Sequence, residues 1–312
     1  MKFYHRPVLV SRVLEGLALK AGGIYIDGTL GGGGHSEAIL SDPRNVSVIG
    51  IDQDDEALTY AGERLQRFGA RFTARKSNFR DLDKVIEEMG VGKVNGVLLD
   101  IGISSWHVDE AGRGFSFLKE GPLDMRMNRS QELTAAEIVQ TSSEEELVRV
   151  FREYGEEPLA RPIARAIVNK RKEKEITTTT ELAQIIEDMY PKKLRVRGIH
   201  PGTRIFQALR IEVNDELGAL REGLEKAEKV LAKGGRMAVI TFHSLEDRIV
   251  KNFIRDRSSE YQDTPELPNT LKNIRHTMKQ VTRKPERAEE EELQENPRAR
   301  SAKLRVAEKT KE

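Results

Sequence analysis

Short apolar runs that end on a carboxylate recur in the first part of the chain, and they restrict the fold more than any other feature. They are Gly23 to Asp27, Val46 to Asp52 and Val94 to Asp100, each bounded by Gly, Asn or Asp. Runs of this length without polar alternation read as strands buried in a parallel sheet. Between them, Asp55 to Phe68 brings Ala57, Leu58, Ala61, Leu65 and Phe68 to roughly one helical face, and Asp81 to Met89 has similar spacing. Strand and helix therefore alternate as βαβ units. Such units cross over right-handed and leave ligand sites at the C-terminal ends of the strands, where the acidic residues stand.

After Asp100 the alternation stops. Thr134 to Met189 is polar, charged and helical in pattern, with helix starts expected at Ser142-Ser143-Glu144-Glu145-Glu146 and Thr180-Glu181. Alternation resumes with one long amphipathic segment, Ile205 to Leu231, followed by Gly234-Gly235 and a strand from Arg236 to Thr241. Met278 to Val281 and Ala302 to Val306 are candidate strands for an antiparallel hairpin that closes the sheet. The expected fold class is α/β: a Rossmann-like domain of residues 1–105 and 205–312, interrupted by a helical insertion at 106–204. A chain of 312 residues accommodates one large domain with such an extra piece.

Composition narrows the setting. The formal net charge is only +1 although 33% of residues are charged, so acids and bases can be segregated into faces. There is no cysteine, which removes disulfides, thiolate metal sites and cysteine nucleophiles and suits a reducing compartment. Met1 to Leu17 is broken by Arg6, Pro7, Arg12 and Glu15, so it forms neither a signal-peptide core nor a membrane span. A cytoplasmic location without membrane contact is expected.

Asp27-Gly28-Thr29-Leu30-Gly31-Gly32-Gly33-Gly34-His35-Ser36 follows the first strand and precedes a helix. Four consecutive glycines cost chain entropy unless a ligand or a positive φ needs them, so this is read as a cofactor loop and not as a flexible turn. The dinucleotide spacing G-x-G-x-x-G fails, because its third position falls on Ser36 or Glu37. Asp52, at the end of the second strand, stands where a carboxylate accepts hydrogen bonds from ribose hydroxyls. An adenosine ligand without a pyrophosphate fits both observations. Asp52 could instead cap the next helix, although Asp54 and Asp55 are available for that role. Phe79, after the third strand, is either an adenine platform or plain core. No cluster of histidines and carboxylates has metal-ligand spacing, so no metal is expected.

Leu98-Leu99-Asp100-Ile101-Gly102-Ile103-Ser104-Ser105 puts an acid and two hydroxyls just past the fourth strand. This is the expected reaction centre, with Asp100 and nearby carbonyls as hydrogen-bond acceptors and Ser104 as an orienting group, or Ser104 and Ser105 as a simple turn. A serine-hydrolase reading fails for want of the Gly-x-Ser-x-Gly elbow.

Several strings together resemble the RsmH (MraW) family of bacterial methyltransferases. They include His5 to Leu9, Tyr25 to Ser36, Leu99 to Ser105, Arg113-Gly114-Phe115-Ser116-Phe117, Gly121 to Met127, Thr203 to Arg210, Phe242 to Arg248 and Asn296 to Arg305. The resemblance spans nearly the whole chain. It implies a class I S-adenosylmethionine-dependent methyltransferase, releasing S-adenosylhomocysteine, that acts on the N4 amine of a decoding-site cytidine in 16S rRNA of the small ribosomal subunit. It also implies cofactor contacts at Gly33, Gly34, His35, Asp52, Phe79, Asp100 and His107. The segment after Leu99 lacks the two prolines and the aromatic of DNA amino-methyltransferases, so their base clamp does not transfer.

Basic residues cluster at Arg161 to Lys174, at Lys192 to Arg197 and in the tail Arg298 to Lys311, and are read either as an RNA-binding surface or as solvated faces. A cytidine inside folded rRNA must be unpaired or extruded to react, and Trp106 is a candidate platform for it. Homo-oligomerisation cannot be derived from the sequence. The rivals are a methyltransferase for protein or small molecules, a noncatalytic ribosome-assembly factor, and a nicotinamide oxidoreductase, the last disfavoured by the glycine spacing.

Overall fold

The apolar runs form β1 (Ile24–Asp27), β2 (Ser47–Asp52) and β4 (Val94–Asp100) of a computed structural model that describes residues 6–103, 108–195, 200–262, 271–272 and 276–311. With β3 (Phe72–Lys76), β5 (Leu231–Thr241), β6 (Met278–Gln280) and β7 (Lys303–Lys309) they make one sheet, in the order β3-β2-β1-β4-β5-β7-β6. Strands β1 to β5 pair in parallel, while β7 runs antiparallel to both β5 and β6. The expected terminal hairpin thus exists, as the reversed edge of the sheet. Strand β5 starts earlier than Arg236 because Leu231 already pairs with Val94, and the register then shifts over Gly234-Gly235 before Arg236 pairs with Gly96.

Successive strand residues point to opposite faces, and both faces are covered. Tyr25, Val48, Leu98, Ala238 and Ile240 pack with Val13 and Leu17 of α1 (Val10–Leu17), Ile39 and Leu40 of α2 (Gly34–Leu40), and Ala61 and Leu65 of α3 (Asp55–Leu65). Ile26, Ile49, Val97, Leu99 and Val239 face the other way, onto Leu82, Val85 and Ile86 of α4 (Leu82–Glu88). Two-sided burial is why these strands read as continuous apolar runs.

The chain divides into two compact units, Met1–Gly102 with Leu217–Glu312, and Ile103–Glu216. The second is helical: α5 (Ala135–Thr141), α6 (Glu144–Glu153), α7 (Ala160–Glu173), α8 (Thr179–Met189) and α9 (Thr203–Asn214). Its core is Ile138, Leu147, Phe151, Ile163, Ile167, Leu182, Ile186 and the α9 residues Ile205, Phe206 and Leu209. The return boundary expected at 205 therefore moves to 216, since the apolar face of α9 completes the helical core. The segment Ile205 to Leu231 is also two helices, broken where Asp215 adopts φ 45°. The second of these, α10 (Glu216–Val230), contributes Leu220, Leu224 and Ala227 to the sheet face of α4, beside Val250 and Phe253 of α11 (Ser244–Ser258). Helix α6 begins with the expected capping box, Ser143 with Glu146, whereas α8 is capped by Thr178 with Glu181, two residues before the expected start.

Candidate active site at the strand ends

The sheet order turns back between β1 and β4, which leaves a crevice at their C-terminal ends. The glycine loop crosses this edge. Gly31 (φ 48°) and Gly33 (φ 73°) hold left-handed conformations that side chains resist, and Gly33 caps α2. Gly34 is buried against Pro7, where an added Cβ would lie 2.9 Å from Cδ. The loop is anchored at both sides. Asp27 Oδ2 accepts from Ser36 Oγ (2.7 Å) and Oδ1 from Thr29 N (3.3 Å), so this buried acid shapes the turn. Burial raises the Asp27 pKa against the opposing pull of His35 and these hydrogen bonds.

Asp52 closes the loop from β2. Its Oδ2 accepts from Gly31 N (2.8 Å) and its Oδ1 from Asp54 N (3.0 Å). The cap of α3 is Asp54, which accepts from Glu56 N at 3.0 Å, so the capping alternative for Asp52 is overturned. Asp55 pairs instead with Lys76 at 2.6 Å. Phe79 is half-buried: its Cβ lies 3.3 Å from where a Gly28 Cβ would be, and its ring fills the space at Gly223. The side chain thus links the glycine loop to α10.

Asp100 ends β4 with its amide donating to Thr29 Oγ1 (2.6 Å). Its Oδ2 lies 3.6 Å from His35 Nδ1, while His35 Nε2 lies 2.8 Å from Val8 O and so donates to it, leaving Nδ1 toward the acid. The other oxygen, Oδ1, is buried with no hydrogen-bond partner among the described residues. Burial pushes the Asp100 carboxyl up to about 6; His35 opposes the shift, and the charges of Asp27 and Glu246 add to it. His35, only 6% exposed, is a contact that the sequence offers by resemblance alone. Its burial between Val8 and Asp100 was not visible in the pattern. Ser104, Trp106 and His107 lie outside the described residues.

Two polar groups at this edge escaped the sequence reading. Thr29 was only one letter of the glycine loop. The pair His243 and Glu246 follows β5 and forms a capping box for α11. Its pattern is hidden because histidine stands where Ser, Thr, Asp or Asn is usual.

The basic clusters resolve unevenly. Arg165 pairs with Glu144 (3.5 Å), Lys170 with Glu173 (2.9 Å) and Lys174 with Glu181. Arg171 donates to Val139 O and Ser142 O, both at 2.7 Å. Arg161 and Lys172 carry no such partner among the described residues. Arg195 pairs with Glu187 at 2.7 Å. Half of the tail Arg298 to Lys311 is strand β7, with Arg305 bound to Asp247 (2.7 Å) and Lys309 donating to Glu228 O (2.6 Å).

A buried, unpartnered carboxylate oxygen beside a glycine cradle, with a second carboxylate at the end of the neighbouring β2, fits a cationic adenosine cofactor that carries no pyrophosphate. Fold and site together define a Rossmann-like, S-adenosylmethionine-dependent methyltransferase with a helical insertion. Residues 2–310 match the MraW methylase family. The chain is 52% identical over 309 residues to the ribosomal RNA small subunit methyltransferase H of Carboxydothermus hydrogenoformans, covering 99% of both chains. It is 50% identical to that of Heliobacterium mobile over 311 residues (99% and 100% covered) and 45% identical to that of Clostridioides difficile over 310 (99% and 100%). The chain belongs to the MraW methylase family. No helix among the described residues is long and apolar enough to cross a membrane.

Proposed function

We propose that the protein methylates the exocyclic N4 amine of a decoding-site cytidine in 16S rRNA of the small ribosomal subunit. The observation that carries this reading is the unpartnered Oδ1 of Asp100 at the strand ends, in a carboxyl lifted to about 6. Relatives at about half identity that carry the small-subunit rRNA methyltransferase name support the substrate. S-adenosylmethionine, when bound, supplies a methyl group already activated by its sulfonium centre. Gly33, Gly34, His35, Asp52, Phe79 and Asp100 are the described residues that would hold it, with His107 as a further contact.

The amine is a weak nucleophile because its lone pair is delocalised into the ring. Asp100 accepts one of its N–H bonds, which aligns the lone pair and stabilises charge as the nitrogen becomes tetrahedral. When the new N–C bond forms, the nitrogen sheds a proton, and Asp100 takes it. Ser104 would orient the same amine. Methylation at C5 is the competing chemistry on cytosine, but it needs a thiolate to add at C6, and the chain has no cysteine. The helical unit supplies RNA recognition, with Arg161 and Lys172, which have no partner among the described residues, directed toward phosphate.

Transfer of labelled methyl to small subunits lacking the modification, followed by mass spectrometry of nucleosides, tests the reading. N4-methylcytidine made by wild type and lost in a folded Asp100→Ala variant is the expected result. Cofactor binding without transfer to subunits or to partly assembled RNA would overturn the substrate.

A further inference from the structure

Asp100 has an acidic neighbour with no role in the steps above. Asp100 pairs with Ile240, and Ile101 N donates to Ile240 O (2.8 Å), so β5 ends beside β4. Phe242 then lies against Gly102, where an added Cβ would come within 2.8 Å of its ring. The chain turns into α11 through His243, whose side chain accepts from Glu246 N (3.4 Å). Glu246 is fully buried, and its Oε2 accepts from Phe242 N (2.7 Å) and His243 N (3.2 Å). Its other oxygen faces His243 Nε2 at 2.8 Å, yet neither atom makes a directed hydrogen bond. Capping alone does not require this. In the same chain Ser143 with Glu146 builds a capping box whose glutamate is exposed to water. A buried carboxyl with an oxygen left over is costly, and a cap could have been made without it.

We propose that Glu246 is a positioning residue of the methyl-transfer centre, oriented by His243 and two backbone amides so that its charge keeps Asp100 the proton acceptor. The inference rests on the methyl-transfer role given to Asp100 above. As the N–C bond forms and the carbon–sulfur bond breaks, positive charge passes to the amine nitrogen. One N–H proton then moves to Asp100 and from there to water. The charges that bear on Asp100 are those of His35 from α2, Asp27 from β1 and Glu246 from α11. Asp27 is tied to Ser36 and Thr29, and His35 to Val8, whereas Glu246 has one oxygen held by two amides and the other 2.8 Å from His243 Nε2 without a directed hydrogen bond.

The test is a carbon-13 NMR titration of the Asp100 carboxyl in the full chain, assigned with Asp100→Asn and set beside single-turnover methyl transfer against pH. Glu246→Gln keeps an oxygen for the two amides and removes the charge. Glu246→Asp keeps the charge and withdraws it from the amides. In Glu246→Gln the Asp100 midpoint should fall by about half a pH unit or more, carrying the acid limb of the rate profile with it. In Glu246→Asp the midpoint should stay near wild type. An unmoved midpoint in Glu246→Gln, with the rate scaled equally at every pH, would overturn the inference and leave Glu246 a helix cap. Absence of rRNA methylation by wild type would overturn the substrate reading instead, and the NMR midpoint would still decide the coupling.

Discussion

Asp100 receives little solvation for its charge: its side chain keeps 15% exposure, one oxygen is unpartnered, and His35 stands 3.6 Å from the other. Its carboxyl titrates near 6 in the folded chain and near 3.9 in an unfolded one, so between these values the folded state binds more protons. Stability from this group is therefore present in full below about pH 4 and is lost as pH rises toward 6, to a total on the order of 3 kcal/mol. Asp100→Asn should accordingly raise the thermal midpoint at pH 7.5, with the gain disappearing near pH 4. The same variant should lose about 10²- to 10⁴-fold in methyl transfer. Melting curves at the two pH values check the first claim, and a variant equally destabilised at both would contradict it. The carboxyl's position was legible as the acid ending an apolar run. Its partners were not, because Thr29 and His35 reach it from the distant glycine loop, and nothing in local periodicity reports such a convergence.

At the scale of elements, the sequence reading found the strands best, since burial on both faces leaves apolar runs with sharp polar ends. Boundaries were lost where one pattern served two partners: α9 and α10 share an amphipathic period across Asp215, but one helix face belongs to the helical core and the next to the sheet. The strings Arg113 to Phe117 and Gly121 to Met127, recognisable only as a family signature, turn out to be architectural. The buried Arg113 guanidinium donates to Arg126 O and Met127 O (both 3.1 Å), and Gly114 could not carry a Cβ without meeting Pro122 O at 2.1 Å. Charge was read least well, because a run of cations looks the same whether or not each is engaged. Arg171 and Lys172 are adjacent, yet Arg171 satisfies the carbonyls at the end of α5 while Lys172 has no partner among the described residues. Arg171→Ala should therefore cost about 1–3 kcal/mol in denaturant unfolding, whereas Lys172→Ala should leave unfolding unchanged and weaken RNA binding with a shallower salt dependence. Equal effects of both variants on stability would show that the carbonyl contacts are incidental.

Over the whole molecule, two units have separate hydrophobic cores, one on both faces of the sheet and one among α5 to α9. Each has what an independent folding unit needs. Of the residues given to the cofactor, all but His107 belong to the sheet unit, so cofactor binding should stabilise that unit most. Saturation at a hundred times the dissociation constant is worth about 2.7 kcal/mol and should move the sheet unit's unfolding transition further than the other. The converse perturbation is Phe151→Ala, which empties a fully buried position in the helical core. It should cost about 3–5 kcal/mol in the helical transition and leave S-adenosylmethionine affinity near wild type, while methyl transfer to the subunit falls. Calorimetry with and without cofactor on the wild type and this variant separates the cases. One transition that moves as a whole under both perturbations would mean the two cores unfold together. In that event any loss of transfer in Phe151→Ala would report global stability and not the loss of an RNA-recognition unit.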